Sequence, residues 1–67
     1  MKIKYNQEVD ILIIQLSDTK IYESNESKRG TILDYDKEGN IVRIEIIDAS
    51  KQTNTPFKFE YELVSGT

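Results

Sequence analysis

The sequence predicts a small all-β domain, an antiparallel meander or small curled sheet of about five strands. Isoleucine occurs ten times and alanine once in 67 residues, a balance that favours strands over helices. No 3.6-residue helical period is present up to residue 47, whereas several segments alternate between apolar and polar residues. The third observation is a hairpin signature over residues 30–50, around which the other elements are organised.

The hairpin is predicted from two apolar segments that flank a short polar loop ending in Gly39. Glycine adopts the positive φ that closes such a loop without steric cost. Pairing Asp36 with Asn40 then sets the register, and a slip of one residue would move every side chain to the opposite face. This register predicts a core face made of Ile32, Val42, Ile44 and Ile46. The opposite face is expected to mix Leu33, Tyr35, Ile41 and Ile47 with Arg43 and Glu45.

The other elements follow from alternation and turn residues. Strands are predicted over residues 2–5, 10–16 and 57–64, with a weaker strand at 21–23 and a polar loop at 25–29. A turn of helix near 48–53 is expected to use Asp48 or Ser50 as its N-cap. One domain is expected over residues 1–67, with a core at 1–50 and an additional C-terminal strand in 51–67. Phe57, Phe59, Tyr61 and Leu63 share one face of that strand.

Composition excludes several classes of function. The chain has no cysteine, so disulfides, thiolate catalysis and the commonest zinc sites are not expected. Its net charge is −3 with scattered basic residues, which argues against nucleic-acid binding. No apolar run approaches the length of a membrane span, and the N-terminus lacks the pattern of a signal peptide. A cytoplasmic location is therefore expected.

The short length predicts self-association. A chain of about 60 residues buries only about 60% of its unfolded surface and is marginally stable alone. Because disulfides are unavailable to this chain, the added stability is expected from a partner surface, most simply in a homo-oligomer.

The acidic turn contains metal-ligand candidates. Asp34, Asp36 and Glu38 alternate before Gly39, in the spacing of a calcium-binding loop. That loop joins two helices, whereas β-branched strands flank this one, and Glu45 would lie about 20 Å along its strand from the turn. The favoured interpretation is a solvated acidic turn with no metal or other cofactor.

Asp34 has two further interpretations, because the predicted register places it on the core face. It is either a catalytic acid or a partner-binding carboxylate, or else it accepts hydrogen bonds from turn amides or lies at the wet end of the sheet. The second is favoured, since buried carboxylates are rare unless paired. Without histidine or cysteine the serines lack the usual activating base, so an enzyme is not expected.

A protein interface is predicted on the face of the sheet that lies opposite the predicted core face, because that face also carries apolar residues. Tyrosine is enriched at interfaces, although it also fills strands for ordinary packing reasons. The interface candidates are Ile11, Ile13, Tyr35, Ile41, Ile47 and Phe59.

Two segments, MKIKYNQEVDILIIQLSD and GTILDYDKEGNIVRIEIIDAS, resemble the domain of unknown function 2283 family of small bacterial and archaeal proteins. The resemblance covers about residues 1–50 and departs from the family pattern at Asn6, Ile13 and Arg43. It implies no catalytic residues. It does imply an antitoxin-like role, since some members look like partners of small toxin-type ribonucleases.

The expected function is that of a non-enzymatic protein-binding β-domain that binds itself or a toxin-like protein. The alternatives are a structural homo-oligomer without another partner and a metal-binding module on the acidic turn.

Overall fold

A computed structural model describes residues 1–56 and 58–66. It confirms an all-β fold: five antiparallel strands form one sheet, and a single helical turn follows. The elements are β1 (Lys2–Asn6), β2 (Ile11–Gln15), β3 (Glu23–Lys28), β4 (Thr31–Tyr35), β5 (Ile41–Ile47) and α1 (Ala49–Gln52).

The strand order is β1-β2-β5-β4-β3, which is not that of a meander. β2 pairs with β5, so the connection from β2 to β3 passes the ends of the two strands between them. The third strand was predicted at 21–23 but occupies Glu23–Lys28, where a polar loop was expected. Every side chain in β3 is exposed, so its order comes from backbone pairing to β4 and leaves no apolar signal in the sequence.

The hairpin turn forms as predicted, whereas the register beyond it does not. The amide of Asp36 donates to the Asn40 carbonyl at 2.9 Å, and Gly39 has φ +88°. Tyr35 faces Ile41, but Asp34 faces Arg43 instead of Val42.

A β-bulge at Val42 causes this shift, because Val42 is an extra residue between two paired positions of β5. Its carbonyl accepts the amides of Leu16 and Ser17, at 2.7 and 3.3 Å, from the end of β2. Beyond the bulge the predicted faces are therefore exchanged. Leu33 lies with Ile44, and Ile32 lies opposite Glu45.

The sheet is a single layer. All extensive contacts between elements join neighbouring strands, and the buried apolar residues of the described chain are Leu12, Val42, Ala49 and Pro56. The accessible surface is 5681 Å², whereas a compact protein of this mass exposes about 4,400 Å². The Cα radius of gyration is 13.2 Å, against about 11 Å for a compact chain of this length. The chain is thus flatter and more exposed than a self-sufficient domain.

The predicted helical turn is present as α1, but it is capped from a distant part of the chain. Asp48 occupies the N-cap position in the left-handed region, and its side chain makes no capping hydrogen bond. Instead the Asp10 carboxylate accepts the amide and the hydroxyl of Ser50, at 3.0 and 2.6 Å. The Tyr5 hydroxyl donates to the same carboxylate at 2.6 Å. Because of these bonds, α1 is fixed to the β1–β2 turn.

The predicted strand over 57–64 does not form within this single chain. Residues 58–66 have no helix or strand assignment and are all exposed, while Phe57 lies outside the described residues. In the described ranges, no helix is long and apolar enough to cross a bilayer.

Candidate functional site

The paired registers divide the side chains between two faces of different chemistry. The apolar face consists of Ile3, Tyr5, Leu12, Ile14, Leu33, Tyr35, Ile41, Ile44 and Ile46, with polar Thr31 from β4 and Glu23 and Asn25 from β3 toward its β3 margin. The charged face consists of Ile11, Ile13, Gln15, Ile32, Asp34, Arg43, Glu45 and Ile47, with Lys2, Lys4 and Asn6 from β1 and Ser24 and Glu26 from β3.

Asp34 is the centre of the charged face, and its side chain is inaccessible to water. Its carboxylate accepts the Arg43 Nε–H at 2.8 Å and the Ser24 hydroxyl at 2.5 Å. Arg43 Nη2 lies 3.4 Å from Glu45 Oε2, which continues the cluster toward β2. Asp34 therefore does not bind turn amides, and it does not lie at a wet end of the sheet. Its partner Arg43 was missed because the bulge, invisible in the sequence pattern, brings the two residues opposite each other.

The pKa values of the two carboxyl groups in this cluster, Asp34 and Glu45, are shifted in opposite directions. Burial opposes ionisation of Asp34, but hydrogen bonds from Glu45, Ser24 and Arg43 outweigh it and hold its pKa below 3.8. The hydrogen bond to Asp34 raises the pKa of Glu45 above 4.5, and burial raises it further. Such an arrangement stabilises Asp34 as an anion, with all its buried polar atoms bonded to protein groups.

Asp36 is occupied by the hairpin turn. Its carboxylate accepts the amides of Glu38 and Asn40, each at 2.9 Å, and the Asn40 side-chain amide at 3.2 Å. These bonds, led by the Asn40 amide, lower the pKa of Asp36. Of the three metal-ligand candidates, Asp34 and Asp36 therefore bind protein donors, while Glu38 is exposed. Among the described residues, no three acidic side chains converge as a metal site.

Among the described side chains of the apolar face, Tyr5 alone makes a hydrogen bond, from its hydroxyl to the Asp10 carboxylate. Leu12 is the most buried member of this face, and it is flanked by half-buried Ile14, Ile44 and Ile46 on the central strands. Ile3 and Ile41, toward its margins, are exposed to 43% and 39%. Since α1 makes no extensive contact with the sheet, this face is only partly shielded from water. A continuous, half-open apolar surface on a sheet is typical of a protein-binding surface.

The residues predicted as one interface lie in three places. Tyr35 and Ile41 pair with each other on the apolar face, at the turn end of the hairpin. Ile11, Ile13 and Ile47 lie on the charged face. Phe59 lies in the C-terminal segment, beside Lys4 and Tyr5 of β1. These residues therefore do not share one face: the bulge separates Tyr35 and Ile41 from Ile47, and Phe59 lies outside the five strands.

Fold and site together define a small β-domain with one apolar and one charged face. A family model described as "Protein of unknown function (DUF2283)" matches residues 2–50, so the chain belongs to this family. The match ends within α1, and the C-terminal segment lies beyond it. Comparison with curated proteins and with solved structures found no match.

Proposed function

We propose that this chain is a non-enzymatic, cytoplasmic protein-binding β-domain that dimerises through its apolar face. The observation that carries the proposal is the open single-layer sheet. The accessible surface of the whole chain, to which the exposed residues 58–66 contribute, exceeds that of a compact chain of the same mass by about 1,300 Å². A standard protein interface buries about 800 Å² per partner. A second copy laid on the apolar face would cover a part of this excess.

The chemistry of the two faces favours the apolar one as the interface. Dimer interfaces are enriched in apolar and aromatic residues and depleted of charge at their centre. The centre of the apolar face is Leu12, Ile14, Ile44 and Ile46. The centre of the charged face is Asp34 with Arg43, and the partly exposed Arg43 guanidinium would have to be desolvated further under a partner at a cost in free energy.

Sedimentation equilibrium over a wide concentration range tests the proposal. The expected mass is twice 7.8 kDa, with dissociation on dilution. The matched variants are Ile14→Lys and Ile13→Lys, which alter adjacent half-buried positions of β2 on opposite faces. Only Ile14→Lys is expected to give a folded monomer. A wild-type monomer at every concentration, or equal effects of the two variants, would contradict the assignment.

A second candidate function is binding of a basic protein, the antitoxin-like role that the family resemblance implies. The supporting observation is acidity: the chain has 12 acidic and 9 basic residues, and β3 exposes Glu23 and Glu26 along a free edge of the sheet. Opposite charge accelerates association, so this complex is expected to weaken as salt is added. Pull-down of the tagged protein from its own cells at low and high salt, followed by native mass measurement, tests it. A complex of unchanged yield at high salt would exclude this mode of binding.

A further inference from the structure

The C-terminal segment, residues 58–66, has the pattern of a strand and no strand to pair with. Phe59, Tyr61 and Leu63 alternate with polar residues, which is the period of a half-buried strand. In the single chain these side chains are 47%, 88% and 83% exposed. Large apolar side chains left open at this spacing indicate a surface that is covered in an assembly.

β1 offers an edge whose pattern matches this segment. One side of β1 pairs with β2, and its other side is the free edge of the sheet. Its side chains alternate between Ile3 and Tyr5 on the apolar face and Lys2 and Lys4 on the charged face. The opposite edge, β3, has only polar side chains, with Glu23 and Glu26 beside Lys28, so it offers no apolar row for the segment to extend.

We propose that residues 58–63 of one copy add to the β1 edge of a second copy as a sixth, antiparallel strand. One register places Glu60 opposite Lys4 and Glu62 opposite Lys2. Opposite charges that face each other across neighbouring strands are stabilising, whereas like charges are destabilising. A shift by two residues that brings Glu60 to Lys2 would also bring Lys58 to Lys4, so the charges select this register.

The same register joins apolar to apolar residues. Phe59 faces Tyr5, and Tyr61 faces Ile3, so the added strand extends the apolar face by one row. Aromatic cross-strand pairs of this kind stabilise a sheet. Within the single chain, Phe59 lines a shallow depression together with Lys4, Tyr5, Asn6 and Gln7, so the ring already lies near this edge. Further along the segment, Tyr61 and Leu63 make little contact with the sheet and are exposed to water.

The strand is assigned to a second copy because the isolated chain leaves it unpaired. Docking lets the backbone groups of the β1 edge and of residues 60–63 exchange hydrogen bonds with each other, as in any added strand. In a two-fold dimer the exchange is reciprocal, so each copy donates one strand and accepts one. This inference deepens the proposed self-association, and it adds a contact outside the family-matched residues.

Disulfide trapping tests the exchange, because the natural chain has no cysteine. Lys4→Cys and Glu60→Cys are made in separate proteins, mixed and mildly oxidised. Both positions are exposed, so the fold is expected to be retained. The expected product is a covalent dimer that contains one chain of each variant, since facing residues of antiparallel strands meet the distance requirement of a disulfide. Lys4→Cys mixed with Tyr61→Cys is the matched control and is expected to cross-link at least about tenfold less, since Tyr61 points to the other face.

Two results would overturn the exchange. One is no covalent dimer in the mixture of Lys4→Cys and Glu60→Cys. The other is a disulfide within one chain when both cysteines are present in the same dilute protein. If either occurs while the natural chain still sediments as a dimer, the proposed function stands and only the strand exchange fails.

A charge exchange gives an independent readout. Lys2→Glu with Lys4→Glu is expected to raise the dimer dissociation constant by about tenfold. Adding Glu60→Lys with Glu62→Lys is expected to restore it. An equally weak dimer with all four substitutions would show that these residues do not face each other.

Discussion

The two faces of this sheet are built from the same strands, but their side chains are removed from water in different ways. On the charged face, Asp34 is fully buried within one chain, because Ser24 and Arg43 complete its hydrogen bonds. On the apolar face, Ile14, Ile44 and Ile46 are half buried, and within the described ranges α1 makes no extensive contact with the strands that carry them. A polar cluster can be completed locally by a few directed bonds, whereas apolar burial requires area that a single layer of 67 residues does not supply. This difference supports the proposal that the apolar face is the one that binds a partner.

The largest effect is expected from a substitution on the apolar face that disrupts the proposed dimer. Ile14→Lys places a charge in the proposed interface, and we expect the dimer dissociation constant to rise by about 100-fold or more. Light scattering during size-exclusion chromatography measures the change. Ile13→Lys, one residue earlier and on the other face, is the control and is expected to leave the dimer mass unchanged. Loss of the dimer in both variants would mean that the two faces do not differ as proposed.

A substitution in the buried cluster of the charged face is expected to lower the free energy of unfolding and to leave dimerisation unchanged. Asp34→Asn leaves the Arg43 guanidinium without its buried carboxylate, and we expect a loss of about 2–4 kcal/mol in the free energy of unfolding. Urea denaturation at fixed protein concentration measures it. Asp18→Asn, at an exposed position in the β2–β3 connection, is the control. A stability within about 0.5 kcal/mol of the natural chain would show that the cluster contributes little.

The hairpin turn fixes the register that places residues on one face or the other. A substitution there is expected to reduce the free energy of unfolding by less than Asp34→Asn does. Gly39 has φ +88° and no atom within 4 Å of an added Cβ, so Gly39→Ala introduces backbone strain without a steric clash. We expect a loss of about 1 kcal/mol by urea denaturation. Gly66→Ala, with open space around it and no positive φ, is expected to be neutral. A neutral Gly39→Ala would mean that the turn readily adopts another conformation.

The smallest effect concerns pH. The pKa of Glu45 is raised in the folded chain, so its protonated form contributes stability that is fully present below about pH 4.5 and lost as pH rises through the raised pKa. The pKa of Asp34 is lowered, so its contribution is present above about pH 3.8 and lost as pH falls through the lowered pKa. Stability is thus expected to decline from mildly acidic toward neutral pH in the natural chain. Glu45→Gln should remove that decline, and an unchanged pH profile in the thermal midpoint would contradict the coupling.

The part of this fold that the sequence predicted is the part governed by local pattern. Alternation in β2 places Ile13 and Ile14 on opposite faces, and Gly39 marks the turn. The bulge at Val42 was not predictable, because it depends on amides of Leu16 and Ser17 that approach from another strand. That one inserted residue decides which face receives Asp34, and it therefore decides the composition of the candidate site.

Two other features were missed because their partners are distant or polar. The β3 strand ESNESK has no apolar residue, and only pairing with β4 orders it. The cap of α1 comes from Asp10, which precedes Ser50 by 40 residues. In both places the local sequence indicated a different structure. Asp48 and Ser50 are residues that could cap α1 themselves, and residues 25–29 have the composition of a loop.

Isoleucine methyl NMR on dilution tests the central claim most directly, because the isoleucines are divided between the two faces. Ile3, Ile14, Ile41, Ile44 and Ile46 lie on the apolar face, and Ile11, Ile13, Ile32 and Ile47 lie on the charged face. The account predicts that the methyl shifts of the first group change as the dimer dissociates, while those of the second group stay nearly constant. Shifts that move mainly in the second group, or in neither group while the mass falls, would contradict the apolar face as the interface.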